Sequence, residues 1–349
     1  MHTTLLSRFG SDLSTAMASR LLFLLIVCGL AAPVHAQTKV GTTAAPFLEV
    51  GVGARSVAMG EASAALAQDV SAIYWNPSGI ARMQGGEVAF EYTQWFADTQ
   101  LQYVGAAVPA GGGVVGVHAY VFDSGEMEET TLLEEFGNGR RFDVQSLSVG
   151  VSYARLLTER FSVGGTLKYV GESVAEMRAS TVALDLGIQY QLPFRGMRLG
   201  FAIQNFGSEM RLDGSDTSVR VDLDPNTTGD PDATIGNLRT REWDLPLIFR
   251  IGLSYDVVQS ASHSLTLVTD ANYPNNNDQS VAFGAEYGFS GLFFVRAGMA
   301  DVFTSEARAE NHLRLGAGIQ LADRVRADYA WADRGDLGTV NRIGVGLMF

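Results

Sequence analysis

The chain has 349 residues, 46% hydrophobic and only 18% charged, with 39 glycines. It is too apolar to remain disordered, and its glycines follow no collagen-like period. A formal net charge of −13 with no basic stripe excludes a nucleic-acid footprint, so no nucleic-acid partner is expected.

Residues 1–36 read as a signal peptide. Arg8 and Arg20 supply positive charge, an apolar run follows from Leu21 to Ala32, and Val34-His35-Ala36 offers a cleavage site before Gln37. The run is short for a spanning helix. Cys28 follows the bulky Val27, which fits a lipoprotein site poorly. Cleavage leaves 23 basic and 37 acidic residues and no cysteine, so disulfides play no part in holding the exported chain together.

Residues 37–84 form a second segment without strand alternation. The stretch 47–83 is rich in small residues, which suits tight packing in a narrow space, and Asn76-Pro77-Ser78-Gly79 is a strong turn signal. Ser63 to Ala72 is expected to form a short helix, with Asp69 leading into a second turn. Two placements remain open: an extension packed against a barrel mouth, or a plug within a lumen.

From residue 85 to 349 the chain alternates with period two. Val182, Leu184, Leu186, Ile188 and Tyr190 oppose Ala183, Asp185, Gly187 and Gln189; Ile343, Val345, Leu347 and Phe349 oppose Arg342, Gly344 and Gly346. Such alternation marks half-buried strands. Strands are expected near 86–97, 99–109, 113–122, 142–156, 161–171, 179–192, 197–207, 243–257, 262–273, 279–289, 292–301, 311–321, 324–332 and 339–349. The polar face carries full charges: Glu91, Lys168, Asp185, Arg250, Asp270, Glu286, Arg296, Arg314, Arg326, Asp328 and Arg342. Charges rarely enter a soluble core but suit the polar lumen of a transmembrane barrel whose apolar face meets lipid. Aromatic residues near strand ends (Tyr92, Phe96, Tyr153, Tyr190, Tyr255, Tyr287, Tyr329, Trp331) fit interfacial girdles. The expected fold is therefore all-β: a transmembrane antiparallel barrel of about fourteen strands, with an N-terminal plug, in the outer membrane of a Gram-negative bacterium. An even count puts both barrel ends on the periplasmic side, with short turns there (110–112, 157–159, 193–196, 290–291, 322–323) and longer outer loops (123–141, 208–242, 273–278, 302–310). Inward glycines such as Gly164, Gly187, Gly252, Gly284, Gly316 and Gly344 allow another segment to approach closely.

Gly53-Ala54-Arg55-Ser56-Val57-Ala58-Met59-Gly60-Glu61-Ala62, followed by Asp69-Val70-Ser71-Ala72-Ile73-Tyr74-Trp75-Asn76-Pro77-Ser78-Gly79-Ile80, resembles the opening of the PorV/PorQ family, outer-membrane barrels related to the fatty-acid transporter FadL. The family commonly has alanine where Ser78 stands and glycine where Glu61 stands. The resemblance implies one of two non-enzymatic functions. One is an accessory role in type IX protein secretion, with secreted cargo proteins or secretion subunits as partners. The other is a FadL-like channel for hydrophobic molecules such as long-chain fatty acids. Arg55, Glu61, Asp69, Trp75, Asn76, Pro77 and Gly79 are the candidates for plug and gate. Inside a barrel Arg55 needs a carboxylate such as Glu91, Asp185 or Glu286. Pro246, in the strand starting near Trp243, is the candidate for a kink that opens the wall, because proline removes a ladder bond.

The remaining motifs carry less. Acidic loop residues, including Asp222-Leu223-Asp224-Pro225-Asn226, have ligand-like oxygens for calcium but no EF-hand spacing, and read as solvated faces. His118 and His312 are expected to line the lumen, and His263 to sit at a periplasmic turn. None lies in a catalytic motif such as Gly-x-Ser-x-Gly. With no Cys/His cluster or phosphate loop, no cofactor or metal is expected.

Overall fold

The computed structural model describes residues 40–194, 196–221, 234–304, 313–322 and 324–349. The signal-peptide segment, the Asp222–Asn226 run, His312, Arg195 and Asp323 lie outside them. Fourteen long strands form one antiparallel sheet. These are β1 Glu87–Gln94, β2 Gln100–Ala110, β3 Gly113–Asp123, β4 Val144–Thr158, β5 Phe161–Val174, β6 Met177–Gln191 and β7 Met197–Gly207. They continue as β8 Ile248–Gln259, β9 His263–Pro274, β10 Ser280–Phe289, β11 Phe293–Val302, β12 Leu313–Leu321, β13 Val325–Asp333 and β14 Thr339–Met348. Each pairs with its chain neighbours, and β1 pairs with β14 from Glu87↔Met348 to Gln94↔Asn341, so the sheet closes on itself.

Closure settles the backbone hydrogen bonds without help from water, which a lipid-embedded sheet requires. The burial pattern of β1 alternates strictly, with Glu87, Ala89, Glu91 and Thr93 inside and Val88, Phe90 and Tyr92 exposed. Leu167, Val182, Val295 and Ile343 face out on their strands, while Lys168, Asp185, Arg296 and Arg342 face in. An apolar exterior around a charged interior is the arrangement of an outer-membrane barrel. Among the described residues no helix is long and apolar enough to cross a membrane; the crossing is made by strands.

The end where β1 begins and β14 finishes is the inner end. There Gly86 and Phe349 exchange backbone hydrogen bonds of 2.7 and 2.8 Å. The opposite, outer end carries the long connections. One contains the two-stranded hairpin Met127–Glu128 with Arg141–Phe142; another pairs Ser218–Val221 with Thr234–Asn237.

Two expectations are corrected. The strand placed near 243–257 begins only at Ile248, so Pro246 lies in the preceding loop and removes no ladder bond. Trp243 instead bridges Met210, and Leu245 is buried beneath the outer loops. The kink lies next door, in β7. Its register against β6 shifts between Leu184 and Leu186, leaving Asn205 in the left-handed region at φ 62°. Ser63 to Ala72 is the second correction. Its backbone closes single turns, and a helix forms only at Ala72–Trp75. The carbonyls that a helix would spend on its own ladder go elsewhere: Ala64 accepts from Asn76 at 2.7 Å, and Ala67 from Gln189 on the wall at 3.2 Å.

Candidate functional site

The chain before β1 runs down the lumen. At the outer end, the Ala44 N–H donates to the Asp244 carbonyl at 2.9 Å, and Asn276 reaches Thr43 Oγ1. A 3-10 turn, Pro46–Glu49, sets Phe47 against Tyr120 with ring centroids 5.5 Å apart. Helix α1 (Ala54–Ala58) and helix α2 (Ala72–Trp75) follow, then a 3-10 helix, Pro77–Arg82. At the inner end, Arg82 donates to the Arg160 carbonyl at 3.1 Å. The segment thus passes from one mouth to the other.

Wall glycines let it through. A side chain at Gly164 would strike the Pro77–Ser78 backbone, one at Gly200 the Ala64 backbone, and one at Gly284 or Gly298 the Met59–Gly60 backbone. Backbone pressed on backbone on opposite sides of the barrel leaves the segment little room to slide. This is the close approach that inward glycine permits.

Two groups of charges fasten it. In the first, Arg55 grips Glu286 with two parallel bonds, Nε to Oε2 at 2.8 Å and Nη2 to Oε1 at 2.7 Å. Glu286 also accepts from Arg296 Nε at 2.6 Å, and Arg296 reaches Asp328 at 2.6 Å. Arg326 continues the chain from Asp328 (3.0 Å) to Asp69 of the plug (2.9 Å) and Glu87 of the wall (3.4 Å). Of the three carboxylates considered for Arg55, Glu286 takes the role. Glu91 accepts from the Gly53 N–H at 2.6 Å, and Asp185 holds Lys168 at 2.7 Å.

In the second group, Glu61 meets Arg334 at 3.1 Å and Arg314 at 3.4 Å. Burial pushes the Glu61 carboxyl up, but Arg314, then Arg334, Arg342 and Arg250, outweigh it and hold it down at about 2. Glu61 sits at φ 68°, a left-handed conformation that glycine adopts more readily. Here the strain is accepted in return for a carboxylate among arginines. Asp69 is treated similarly: burial raises it, while Arg326 and Arg55 outweigh that and keep it below the ordinary range.

Trp75, Asn76, Pro77 and Gly79 are wholly inside. Trp75 Nε1 donates to the Val52 carbonyl at 2.6 Å, and Arg250 lies over its ring at 4.9 Å. Asn76 donates to the carbonyls of Ala64 (2.7 Å) and Ile188 (3.1 Å), and its Oδ1 caps the following 3-10 helix at Ser78. A single amide thus joins plug to plug and plug to wall.

Asn205 is the residue that the sequence did not point to. Its N–H donates to Asp185 Oδ1 at 2.6 Å, its Nδ2 to the Pro246 carbonyl at 2.8 Å, and its Oδ1 accepts from Lys168. Beyond it lies a notch in the strand pairing. β6 runs on to Met177, but β7 stops at Gly207 opposite Ala183; above, Thr181 Oγ1 still bonds Ser208, and Asp213–Gly214 pairs with Arg178 and Met177. At this level Phe47, Val170, Ala179, Ala183, Met210 and Leu245 belong to one buried apolar cluster, which also holds Tyr103 and Tyr120.

Recesses open at both ends of the barrel. One of about 840 Å³ lies at the outer end, among Val121, Leu147, Tyr169, Arg178, Arg211 and Glu242. One of about 800 Å³ lies at the inner end, bounded by Arg55, Asp69, Glu87, Arg324, Arg326 and Phe349. His118 is buried, stacked on Tyr103, and its Nε2 is 3.5 Å from Ser148 Oγ. The carboxylate of Asp185 is engaged by Lys168 and Asn205, so these groups do not form a catalytic relay. Among the described residues no cluster of metal-ligating side chains is found.

Solved structures share this fold. The channel CymD, described as a monoaromatic hydrocarbon channel, superimposes with a TM-score of 0.60 at 15% identity, over 86% of this chain and 98% of that one. The toluene transporters TodX of Pseudomonas putida (0.56, 13%) and TbuX of Ralstonia pickettii (0.55, 14%) each match over 85% of this chain and 97% of their own. No curated protein matches the sequence. A family model does, from residue 26 to 348, and with that span the chain belongs to the uncharacterised protein family UPF0164.

Proposed function

We propose that the protein is a channel for hydrophobic small molecules, gated by the plug, the FadL-like alternative of the sequence reading. The observation that carries it is the notch in the β6–β7 pairing beyond Asn205, backed by a buried apolar cluster that continues to Phe47 and Tyr120. The plug blocks a straight path down the lumen, and displacement of Met210 and Leu245, which close the cluster at this weakly paired place, would give an apolar solute an exit toward lipid. The monoaromatic hydrocarbon channel CymD and the toluene transporters TodX and TbuX share the overall architecture and support this reading.

The test is uptake of radiolabelled toluene and, separately, of a long-chain fatty acid by cells deprived of their own hydrophobic channels. Cells displaying the folded barrel should take up at least one faster than cells displaying a barrel with Asn205→Pro and the notch sealed by bulky residues. Equal uptake of both compounds by cells with and without the protein would reject the proposal. An accessory role in protein secretion, implied by the PorV/PorQ resemblance, is the second reading. It is favoured by an ordered outer hairpin that presents apolar side chains to solvent.

A further inference from the structure

That hairpin connects β3 to β4. Its two-stranded stem is Met127–Glu128 paired with Arg141–Phe142, continued by Glu129 N–H to the Arg140 carbonyl at 2.9 Å. Above the stem the backbone is fixed: Asn138 bonds Glu129 through its N–H and its side chain, and Thr131 and Glu134 exchange backbone hydrogen bonds of 3.2 Å. At the tip Leu132, Leu133 and Phe136 are 98%, 96% and 98% exposed. Three large apolar side chains held fully in water on an ordered turn have no folding purpose, and a contiguous apolar patch of this kind marks a contact surface.

Charge selects the occupant. Residues 124–143 carry six carboxylates and two arginines, and both arginines are spent on stem glutamates, Arg140 on Glu129 at 3.3 Å and Arg141 on Glu126 at 2.8 Å. Glu134 and Glu135 stand exposed between Leu133 and Phe136. Leu132 lies nine residues past the end of β3 at the outer end, a reach of up to ~30 Å beyond the strand. The net negative loop repels the anionic head groups of the outer leaflet, and it repels the same loop on a second copy. We infer that the tip docks into an apolar cleft rimmed by lysine or arginine on a partner protein outside the membrane. This surface is separate from the channel and stands whether or not the barrel passes small molecules.

The exported chain lacks cysteine on removal of residues 1–36, so Thr130→Cys gives a unique attachment point that leaves the tip intact. A photoactivatable maleimide placed there in native outer membranes should yield one discrete protein adduct. Its partner should be basic, and its yield should fall at least about tenfold in each of two further variants, Glu134→Lys/Glu135→Lys and Leu132→Ser/Phe136→Ser. Heat-modifiable migration of all variants verifies that the barrel is folded. An adduct with lipopolysaccharide or with a second copy of this chain, a yield unmoved by charge reversal, or no adduct would overturn the inference.

Discussion

Arg55→Met tests how the plug is held. Arg55 is the plug's bidentate contact with Glu286, and its side chain is 26% exposed against 7% for Glu286. Breaking a fully buried pair from one side typically costs about 3–5 kcal/mol. Here Glu286 keeps Arg296, and Arg55 is partly solvated, so the expected loss is nearer ~2 kcal/mol. That converts to roughly a thirtyfold increase in the population of an undocked plug. Amide hydrogen exchange on the protein in detergent micelles reads it directly. The N–H groups of Ser63 and Ala64 on Asp270, and of Gly53 on Glu91, should exchange roughly thirtyfold faster, while those of β5 and β6 remain unchanged. Glu286→Met should show less than the sum of effects when combined with Arg55→Met, because both remove one interaction. Plug exchange within about twofold of the parent protein would refute the claim that this ion pair docks the plug.

Three other outcomes follow from the same geometry. Glu61, in the plug rather than in a strand, is held at about 2 against an ordinary value of 4.5, so it stabilises the docked plug above pH ~4.5, and that contribution, of order 3 kcal/mol, is lost as pH falls toward 2; single-channel recordings should show plug openings rising over that window, and Glu61→Gln should make the rise shallower, leaving the share that Asp69 contributes. Gly298→Val forces a side chain into the Met59–Gly60 backbone and should displace the plug at a cost of roughly 1–3 kcal/mol, seen as raised conductance with the barrel still heat-modifiable. Asn76→Ala removes bonds to Ala64, Ile188 and Ser78 together and should destabilise the docked plug by about 1–3 kcal/mol, read as a lower midpoint of plug unfolding in urea, whereas an Asn76 that bears no load leaves the midpoint unchanged.

The strands were legible because the two environments differ so sharply. Lipid outside and a charged lumen inside impose a period of two that Val182-Ala183-Leu184-Asp185 displays openly. The inward positions of Glu91, Lys168, Asp185, Arg250, Glu286, Arg314 and Arg342 followed from the same parity. Their partners followed only as a choice of three for Arg55, Glu286 among them, because periodicity cannot select between positions as far apart as 231 residues. The stretch Trp243 to Leu247 misled because Leu245 serves the outer-mouth cluster and Trp243 bridges Met210, so that its alternation mimics a strand. Ser63 to Ala72 misled because alanine favours helix until side-chain amides of Asn76 and Gln189 take the carbonyls of Ala64 and Ala67. The Asn205 kink left no trace at all, since an asparagine in an alternating run resembles any other inward polar residue.

The path of the plug also constrains how the molecule can be made. Its far end is tied to Asp244 and Asn276 at the outer mouth, and its near end becomes β1 at the inner mouth. A completed cylinder with inward glycines fitted to the plug backbone gives the aromatic residues of 47–75 no clear bore to be drawn through end-first. Closing the β1–β14 seam around a segment already in position spares that passage, and the plug then acts as the mandrel on which the cylinder is wound.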